Sequence, residues 1–464
     1  MSDASLGSLL DGEPDDVVAY LDGAATTRAE LRASADRLAR DLRDAGLAGR
    51  LIGVLAPNHP DAIAAWFAVW SVGGAFVPLN PRVAAAERER LIESTGVSAV
   101  LEPPAVHVRP GAATPRTEAG VAIVQFTSGT TGRPKAVPLR HDTVLDLLDG
   151  VIGSLRGGRQ TDRAPMPNLV PVSLSLWAGI YQVLFAFRIG APVVLMERFD
   201  PAEFARLVHE YGIRSSVLPP AAMVMLARDD RVTSLEPLRY VRSVSAPLSP
   251  THARDFHERF GVAILNGYGQ TELGGEVVGW TAADWRDFGA AKLGAVGRPH
   301  AGIEVRVRDD ELQVRSRTAA PPDPETLGDR VTDDGWLRTG DLARIDDDGF
   351  VWIEGRVSAM VNRGGLKVFP DEVEELLREH PLVADAAIAG VPDDRLGEVP
   401  WAFVVGEAGA EIDTAALREW CRSRMAAYKV PAGVTLLGDL PRNEIGKLLR
   451  QDLVPLANPD GSGS

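Results

Sequence analysis

The first third of the chain alternates amphipathic stretches with short apolar runs. Residues 27–45 carry apolar side chains at helical spacing, the apolar run 51–55 follows, and residues 62–72 are helical again. The same rhythm recurs in the run 192–196 and the helix 201–211. Short apolar runs between helices are typical of parallel strands that helices cover on both faces. The pattern therefore predicts an α/β fold with parallel-rich sheets.

Later parts of the chain depart from this rhythm. Residues 304–308 and 311–315 have the pattern of two neighbouring strands, which predicts a β-rich subdomain. Residues 103–117, which are rich in Pro and Ala, predict a surface loop. The α/β part of the chain is therefore expected to include a β-rich region.

A second domain is predicted to begin near Gly355. Pro370 opens an amphipathic helical pattern, as proline at the first position of a helix commonly does. With 464 residues, of which 45% are hydrophobic, the chain has material for at least two cores. We therefore predict a large N-terminal domain at residues 1–355 and a small, mobile α+β domain at residues 356–464, with a hinge near residues 356–358.

Charge and cysteine content narrow the class of protein. The net charge of −15 argues against a nucleic-acid partner, because phosphate backbones are bound through many Lys and Arg side chains. Cys421 is the single cysteine, so an internal disulfide is excluded, and the spaced Cys and His residues of a zinc site are missing. Residues 1–16 contain no Lys or Arg and lack the basic region of a secretory signal. These features predict a soluble cytoplasmic protein, with a homodimer as one open option.

Two uncharged stretches, residues 62–79 and 164–187, approach the length of a membrane span. Gly73, Gly74 and Pro78 interrupt the first, and several prolines interrupt the second. Such residues break a continuous helix. We therefore interpret each stretch as a buried helix plus a strand and predict no membrane insertion.

A loop dense in hydroxyl groups and glycine follows the apolar run 121–126. It reads Thr127-Ser-Gly-Thr-Thr-Gly-Arg-Pro-Lys135 and lacks the spacing of the Walker A motif. Glycine permits close approach of the backbone, hydroxyls donate hydrogen bonds, and lysine offers a mobile positive charge to a polyphosphate. Many loops of this composition are only surface turns. The candidate phosphate-binding residues are Thr127, Ser128, Gly129, Thr130, Thr131, Gly132 and Lys135.

This loop closely resembles the signature of the adenylate-forming superfamily, which includes acyl-CoA synthetases, adenylation domains of peptide synthetases and firefly luciferase. Three further strings match signatures of that superfamily, in the same order along the chain: Gly267-Tyr-Gly-Gln-Thr-Glu272, Trp336-Leu-Arg-Thr-Gly-Asp341 and Pro441-Arg-Asn-Glu-Ile-Gly-Lys447. The chain is therefore identified as a member of this superfamily, of the acyl-CoA synthetase type. The resemblance implies ATP, Mg²⁺ and CoA as cofactors and a small carboxylic acid as substrate.

The second signature is where the resemblance places adenine and the metal ion. It implies that Tyr268 stacks on adenine, Thr271 touches the α-phosphate and Glu272 helps to bind Mg²⁺. A tyrosine face suits a purine, and a carboxylate suits a hard cation. The resemblance extends the nucleotide site to Ser245, Ala246, Pro247, Asn266, Gly267, Gly269, Gln270 and Ile353.

The third and fourth signatures supply the ribose contact and a catalytic lysine. The resemblance implies that Asp341 accepts both ribose hydroxyls and that Arg356 lies near the ribose. An ionised carboxylate is a good double acceptor. Lys447 is expected to bridge the substrate carboxylate and the α-phosphate. The implied catalytic residues are therefore Lys447, Thr271 and Glu272.

The implied activity has two half-reactions in one site. The acid attacks the α-phosphorus of ATP and pyrophosphate leaves; the small domain then rotates, and CoA takes the acyl group. Gly364 and Gly365 would line the pantetheine tunnel in the second state, although the pair could equally shape only a hairpin turn. Ser358 stands where many relatives have Asp or Lys, which leaves the exact hinge residue open.

The acid is predicted to be hydrophobic. Residues 171–177 lack the histidine of many relatives, and also the aspartate with which peptide-synthetase domains hold an α-amino group. A buried ammonium needs a charged partner, so an amino-acid substrate is disfavoured. Fatty, alicyclic and aryl acids all remain open. The candidate pocket walls, which could equally be ordinary core, are Leu174, Trp177, Leu218 and Met223.

Two other functions remain open. An adenylating enzyme could deliver its acyl group to a carrier-protein thiol or to an amine, and the sequence shows no fused carrier domain. A protein of another class could keep the nucleotide fold as an inactive binding or interaction partner. The intact Lys135, Glu272, Asp341 and Lys447 argue against an inactive protein. An AMP-forming acid:CoA ligase is therefore the leading hypothesis.

Overall fold

A computed structural model describes residues 5–83, 85–97, 99–103, 105–108, 116–127, 135–156, 165–244, 246–270, 273, 275–316, 330–442 and 448–457. The chain divides into two compact units. The first consists of Met1–Val217 and Asp229–Leu238, and the second of Leu218–Arg228 and Arg239–Ser464.

The first unit alternates helices with strands. Its strands are β1 (Val17–Leu21), β2 (Ala24–Thr27), β3 (Leu51–Leu55), β4 (Ala75–Leu79), β5 (Ala99–Glu102), β6 (Ala105–Val108), β7 (Val121–Thr127), β8 (Lys135–Arg140), β9 (Asn168–Val170) and β10 (Val193–Leu195). Its helices are α1 (Arg28–Asp44), α2 (Pro60–Ser71), α3 (Ala85–Thr95), α4 (His141–Arg156), α5 (Trp177–Ile189) and α6 (Pro201–Glu210). One sheet has the order β6-β5-β3-β4-β7-β8, with parallel pairing among its four inner strands. The other has the order β2-β1-β10-β9.

The core of the first unit is built around helix α2, which is apolar on nearly all sides and is buried accordingly. Trp66 of this helix stacks on Phe76 of β4, with ring centroids 5.6 Å apart. Trp70 Nε1 donates a hydrogen bond to the carbonyl of Ala122 at 3.0 Å. This packing fixes β7, the strand that leads into the predicted phosphate-binding loop.

The second unit is richer in strands. Strand β11 (Ser215–Leu218) spans its boundary in sequence, and the strands that follow are β12 (Tyr240–Ser243), β13 (Ala263–Gln270), β14 (Gly275–Gly279), β15 (Arg298–Pro299), β16 (Ile303–Arg308), β17 (Glu311–Ser316), β18 (Leu337–Ile345), β19 (Val351–Arg356), β20 (Val361–Arg363), β21 (Leu366–Val368), β22 (Val383–Asp393), β23 (Gly397–Gly406) and β24 (Gly433–Leu437). The helices are α7 (Pro220–Arg228), α8 (Pro250–Phe260), α9 (Ala282–Phe288), α10 (Pro370–Arg378), α11 (Thr414–Arg422) and α12 (Arg450–Leu453).

Three sheets organise these strands. In the first, β12 and β13 run parallel, and β14 and β15 continue it in antiparallel fashion. In the second, β16 to β19 form an antiparallel meander, which is the predicted β-rich region. In the third, the order is β21-β20-β23-β22, and β24 pairs with β23 in parallel. Helices α10 and α11 share a hydrophobic core with this last sheet, which gives it an α+β character.

A buried charge network joins helix α10 to strand β22 and helix α12. The side chain of Glu374 is 4% exposed and lies between Arg378 and Arg450. Its carboxylate also accepts a hydrogen bond from the Ile388 N–H at 2.7 Å. Burial opposes ionisation of Glu374, but the two guanidinium groups outweigh it and hold the pKa of this carboxyl below its ordinary value. Buried charges persist in proteins when they are paired and hydrogen-bonded, so this network ties the three elements together.

The predicted α/β class is confirmed, and both uncharged stretches are divided between a helix and a strand. Residues 62–79 hold most of α2 and all of β4, and residues 164–187 hold β9 and most of α5. Among the described residues, no helix combines the length and the apolar character that a bilayer crossing requires. The domain boundary at residue 355 stays a prediction, since the second unit contains residues on both sides of it.

The predicted surface loop at residues 103–117 is wrong in part. Ala105–Val108 form strand β6, which pairs antiparallel with β5 at the edge of the larger sheet. Its side chains are mostly exposed, so no alternating apolar pattern marks the strand. An edge strand of this kind is held by main-chain pairing on one side and leaves little trace in the sequence.

Candidate active site

Residues of two separate signature strings converge on Asp341. Strand β13 supplies Tyr268, whose hydroxyl donates a hydrogen bond to Asp341 Oδ2 at 2.6 Å. Gln270 lies two residues further along the same strand, and its Nε2 lies 2.7 Å from Asp341 Oδ2. Side chains two residues apart on a strand point to the same face, which is why both reach the one carboxylate. The structure therefore brings together three of the predicted nucleotide-binding residues.

Arg356 completes this cluster from the adjacent strand. Asp341 of β18 and Arg356 of β19 are direct partners in the sheet, and Arg356 Nε lies 2.8 Å from Asp341 Oδ1. The Asp341 side chain is 3% exposed, whereas that of Arg356 is 46% exposed. A buried carboxylate requires such a counter-charge. Any ligand that binds Asp341 must therefore share or displace its present partners.

The charge of Asp341 also changes the chemistry of the tyrosine. Burial and the neighbouring Asp341 carboxylate raise the pKa of Tyr268 far above its ordinary value. Tyr268 is therefore a neutral hydrogen-bond donor at physiological pH, with an aromatic ring fixed by its hydroxyl. A ring held in this way suits stacking on a purine.

Two residues of this cluster were not predicted from the sequence. The carbonyl of Thr339 accepts a hydrogen bond from Gln270 Nε2 at 2.9 Å, and Arg330 Nη2 donates to Gln270 Oε1 at 3.0 Å. Thr339 lies inside the signature string 336–341, so the string itself could have marked Thr339 as a candidate site residue. Arg330 lies outside every string, and its contact forms only through the fold.

The other predicted nucleotide residues of the second unit lie near the same strands. Asn266 is buried, and its side-chain oxygen accepts a hydrogen bond from the Gly267 N–H at 3.1 Å. Ile353 packs in the hydrophobic cluster that includes Tyr268. Ala246 and Pro247 follow β12 and are half-buried and exposed, respectively. Gly269 lies so close to β14 that a Cβ atom there would be 1.9 Å from the Gly275 carbonyl oxygen.

The remaining predicted nucleotide-binding and catalytic residues either have only their backbone described or lie outside the described part of the chain. Thr127 and Lys135 are Cα partners at the ends of β7 and β8, and only their backbone is described. The segment between them is outside the described part of the chain, as are the residues with expected roles in phosphate transfer. These predicted residues are Ser128, Gly129, Thr130, Thr131, Gly132, Ser245, Thr271, Glu272 and Lys447. Their roles stay predictions.

Gly364 and Gly365 form the turn between β20 and β21. Their φ angles are +59° and +91°, a region that favours glycine. The Asn362 side chain accepts a hydrogen bond from the Gly365 N–H at 2.9 Å. The two glycines thus form a hairpin turn, which was one of the two alternatives. Their proposed position beside CoA stays a prediction.

The predicted pocket walls differ in their exposure. Leu174, Leu218 and Met223 have no exposed surface. Trp177, at the start of α5, is half-buried, with its ring centroid 5.8 Å from that of Tyr181. Their contact with an acid stays a prediction.

Mg²⁺ is implied by the resemblance through Glu272. Within the described ranges, no three His, Cys, Asp or Glu side chains converge as metal ligands. Mg²⁺ commonly takes one or two carboxylates and completes its shell with water and substrate phosphates. Glu272 lies outside the described residues, and its role as a Mg²⁺ ligand stays a prediction.

An α/β unit, a second unit that is rich in strands, and a strand-borne cluster of Tyr, Gln and Asp are the features expected of an enzyme of the adenylate-forming class. The family model for AMP-binding enzymes matches residues 10–121 and 102–319, and the model for the C-terminal domain of these enzymes matches residues 372–447. The chain belongs to the family of AMP-binding enzymes, so the predicted superfamily is confirmed. It is an AMP-forming ligase.

Named relatives cover most of the chain. A feruloyl-CoA synthase of Amycolatopsis sp is 31% identical over 93% of this chain and 94% of its own length. A 4-coumarate–CoA ligase-like protein of Oryza sativa subsp. japonica is 32% identical over 73% of this chain and 63% of its own length. The solved amide bond synthetase McbA from Marinactinospora thermotolerans is 28% identical, with a TM-score of 0.80 and coverage of 98% and 99% of the two chains.

Asp341→Asn is expected to raise the KM for ATP by roughly 10- to 100-fold, because an amide lacks the charge that balances Arg356 and that is predicted to accept the ribose hydroxyls. The KM is measured by acid-dependent ATP–pyrophosphate exchange. Asp334→Asn is the control, since Asp334 pairs with Arg306 at 2.8 Å in the same sheet region and is exposed. An unchanged KM for ATP in Asp341→Asn would exclude the ribose role.

Proposed function

We propose that the enzyme activates a hydrophobic carboxylic acid by adenylation and then transfers the acyl group to CoA. The observation that carries the proposal is the convergence of Tyr268, Gln270 and Asp341 from two separate signature strings. Relatives named feruloyl-CoA synthase and 4-coumarate–CoA ligase-like support CoA as the acceptor. They also favour an aryl acid among the hydrophobic acids left open by the sequence.

In the first step, a carboxylate oxygen of the acid attacks the α-phosphorus of ATP. The bond from that phosphorus to the bridging oxygen breaks, and pyrophosphate leaves with the electron pair. Negative charge spreads over the phosphoryl oxygens, so positioned cations contribute most to catalysis. Lys135 and Lys447 are the cations of this chain in the proposal. Mg²⁺, held by Glu272, would neutralise phosphate charge when bound.

The cluster around Asp341 acts by orientation. Asp341 accepts the ribose hydroxyls, and the Tyr268 ring stacks on adenine. Holding the nucleoside in this way fixes the α-phosphorus relative to the attacking carboxylate and removes much of the entropic cost of the reaction.

In the second step, the CoA sulfur attacks the carbonyl carbon of the acyl-adenylate. A thioester bond forms, the bond from the carbonyl carbon to the phosphate oxygen breaks, and AMP leaves. The thiol proton passes to solvent. The Gly364-Gly365 turn is the part of this chain that we propose borders the pantetheine arm.

An amine is the second candidate acceptor. The observation that favours it is the similarity to the amide bond synthetase McbA, which extends over 98% of this chain. In that case the amine nitrogen attacks the same carbonyl carbon, the bond from that carbon to the phosphate oxygen breaks, AMP leaves, and the nitrogen loses a proton to solvent as the amide forms. Both candidates share the adenylation step and differ only in the nucleophile.

A panel of apolar acids separates these functions. Each fatty, alicyclic or aryl acid is incubated with ATP and Mg²⁺, with CoA, with a simple amine, or with neither, and pyrophosphate and acyl products are measured. We expect acid-dependent pyrophosphate release and a CoA thioester by mass. An amide in place of the thioester would support the second acceptor.

Two results would contradict the proposal. A strong preference for amino acids over apolar acids would exclude the predicted pocket. Absence of pyrophosphate release with every acid would exclude adenylation of apolar acids and favour a binding protein.

A further inference from the structure

A second charged cluster lies on the opposite face of strand β13 from Tyr268 and Asp341. Glu276 of β14 pairs with Gly269 of β13 in the sheet. Glu276 Oε1 accepts hydrogen bonds from Arg242 of β12 and from His300 Nε2, the latter at 3.0 Å. We name Arg242, Glu276 and His300 the Glu276 triad. None of its members belongs to a signature string.

Glycines make room for the triad. A Cβ atom at Gly267 would lie 2.5 Å from Glu276 Oε2, and one at Gly279 would lie 2.3 Å from Glu276 Oε1. The two glycines face each other across the strand pair. Glycine inside a strand is costly and commonly marks close approach of a ligand or of another chain segment. The carboxylate thus lies against bare backbone.

The triad is reachable from solvent and keeps unused hydrogen-bonding capacity. Its side chains are 32%, 25% and 38% exposed for Arg242, Glu276 and His300, respectively. Both hydrogen bonds to the carboxylate use Oε1, and within the described part of the chain Oε2 accepts none. Arg242 donates there through Nη1 alone, although a guanidinium carries five N–H groups.

The carboxylate is the charged form of Glu276. Burial opposes its ionisation, but the hydrogen bond from His300 and the charge of Arg242 outweigh burial and hold the pKa of Glu276 below its ordinary value. An ionised Oε2 is a strong acceptor for a hydroxyl donor.

The charges of the triad determine which chemical group of a ligand can bind beside it. A second carboxylate at this position would be repelled by Glu276. An ammonium group would be repelled by Arg242. A hydroxyl carries no charge, donates to Glu276 Oε2 and accepts from Arg242. The triad therefore matches a neutral hydroxyl.

The position of the triad connects it to the acid. The nucleotide is assigned to the Tyr268 face of β13, and Thr271 and Glu272 follow directly at the end of that strand. In the proposal, the acid attacks the α-phosphorus at this end of β13, and its tail lies along the glycine-bearing face of the strand. We propose that the Glu276 triad binds a hydroxyl group on the tail of the acid, so that the substrate is a hydroxylated aryl or alicyclic acid. This inference rests on the proposed adenylation of an apolar acid.

Matched pairs of acids test the proposal. Benzoic, cinnamic and cyclohexanecarboxylic acids, each with and without a ring hydroxyl, are compared by ATP–pyrophosphate exchange. We expect kcat/KM to be roughly 10- to 100-fold higher for the hydroxylated member of at least one pair. This is the factor that a hydrogen bond to a charged group typically contributes. Equal or reversed preference in every pair would overturn the proposal.

Glu276→Gln identifies the residue responsible. This variant is expected to reduce the preference by roughly 10-fold or more while the unsubstituted acid keeps its kinetic constants. Glu304→Gln is the matched control, since Glu304 pairs with Arg315 and is similarly exposed, at 21%. An equal loss with both members of a pair would show that Glu276 is only structural and would contradict the proposal.

A double variant covers the possibility that Glu276→Gln fails to fold. Arg242→Met with Glu276→Leu removes both charges together, so no buried charge is left unpaired. It is expected to prefer the unsubstituted acids, and retention of the hydroxyl preference would refute the proposal. Absence of exchange with every acid in the wild-type enzyme would instead contradict the proposed function itself.

Discussion

Lys447→Ala is expected to slow acyl-adenylate formation by roughly 100- to 1,000-fold. The reason is the charge that develops on the phosphoryl oxygens as pyrophosphate leaves, for which the signature lysine is the proposed counter-charge. Thioester formation from supplied acyl-adenylate should keep its rate, since that step releases AMP from an already activated acid. The two half-reactions are measured separately, as acid-dependent pyrophosphate release and as conversion of acyl-adenylate to acyl-CoA.

The control for this variant is Lys429→Ala. Lys429 Nζ contacts the Glu372 carboxylate at 2.6 Å, lies in the same unit and has no place in the proposed chemistry. Its loss should leave both half-reactions unchanged, because such surface pairs contribute little. If Lys447→Ala slowed both steps equally, the lysine would not be specific to adenylation and its assigned role would be wrong.

Glu374→Leu is expected to lower the free energy of unfolding by about 3–5 kcal/mol. The side chain is buried between Arg378 and Arg450, so its removal takes away the carboxylate that both guanidinium groups share. Their buried charges are then only partly balanced, by Asp385 and Asp371 respectively. It also removes the acceptor of the Ile388 N–H. Urea unfolding of the purified variant, followed by tryptophan fluorescence, measures the shift.

An exposed pair in the same part of the chain supplies the comparison. Glu419 and Arg422 form an i, i+3 pair on helix α11, with side chains 63% and 53% exposed. Glu419→Leu should therefore change stability by less than about 1 kcal/mol. Equal stability of Glu374→Leu and Glu419→Leu would mean that the buried network contributes no more than a surface pair.

Signature strings indicated several residues that the fold brings together, while their roles toward a nucleotide stay predictions. Tyr268, Asp341 and Arg356 were assigned from three places in the sequence, and the structure brings them within hydrogen-bonding or ion-pair distance. Such strings work because a nucleotide demands particular groups at fixed positions on particular strands. The phosphate and lysine segments were predicted on the same grounds and stay predictions.

The charged clusters could not be predicted in this way. Arg242, Glu276 and His300 are separated by 34 and 24 residues, and each alone is typical of a surface position. Glu374 lies in an ordinary amphipathic helix, and its burial depends on Arg450 from a distant helix. Partnerships of this kind arise from the three-dimensional fold, for which the local pattern has no signal.

The fold was predicted best where apolar periodicity is strong. The run at 51–55 and the helix at 201–211 agree with β3 and, to one residue, with α6. Strand β6 was missed because its side chains are mostly exposed and its position depends on pairing with β5. Apolar periodicity reflects the burial of side chains. Strands that are held mainly by main-chain hydrogen bonds therefore show no such pattern in the sequence.

The environment of Asp341 has a consequence for selectivity among nucleotides. Tyr268, Gln270 and Arg356 all contact this carboxylate. In the proposed ribose role, a bound sugar would exchange one set of hydrogen bonds for another, so the net gain in free energy per bond would be small and tight binding of the nucleoside is not expected. A sugar that lacks one hydroxyl would make fewer hydrogen bonds to Asp341 and would still displace the original partners of this carboxylate. If Asp341 has its proposed ribose role, the enzyme is expected to discriminate against deoxynucleotides, and the same modest affinity would allow AMP to dissociate after each turnover.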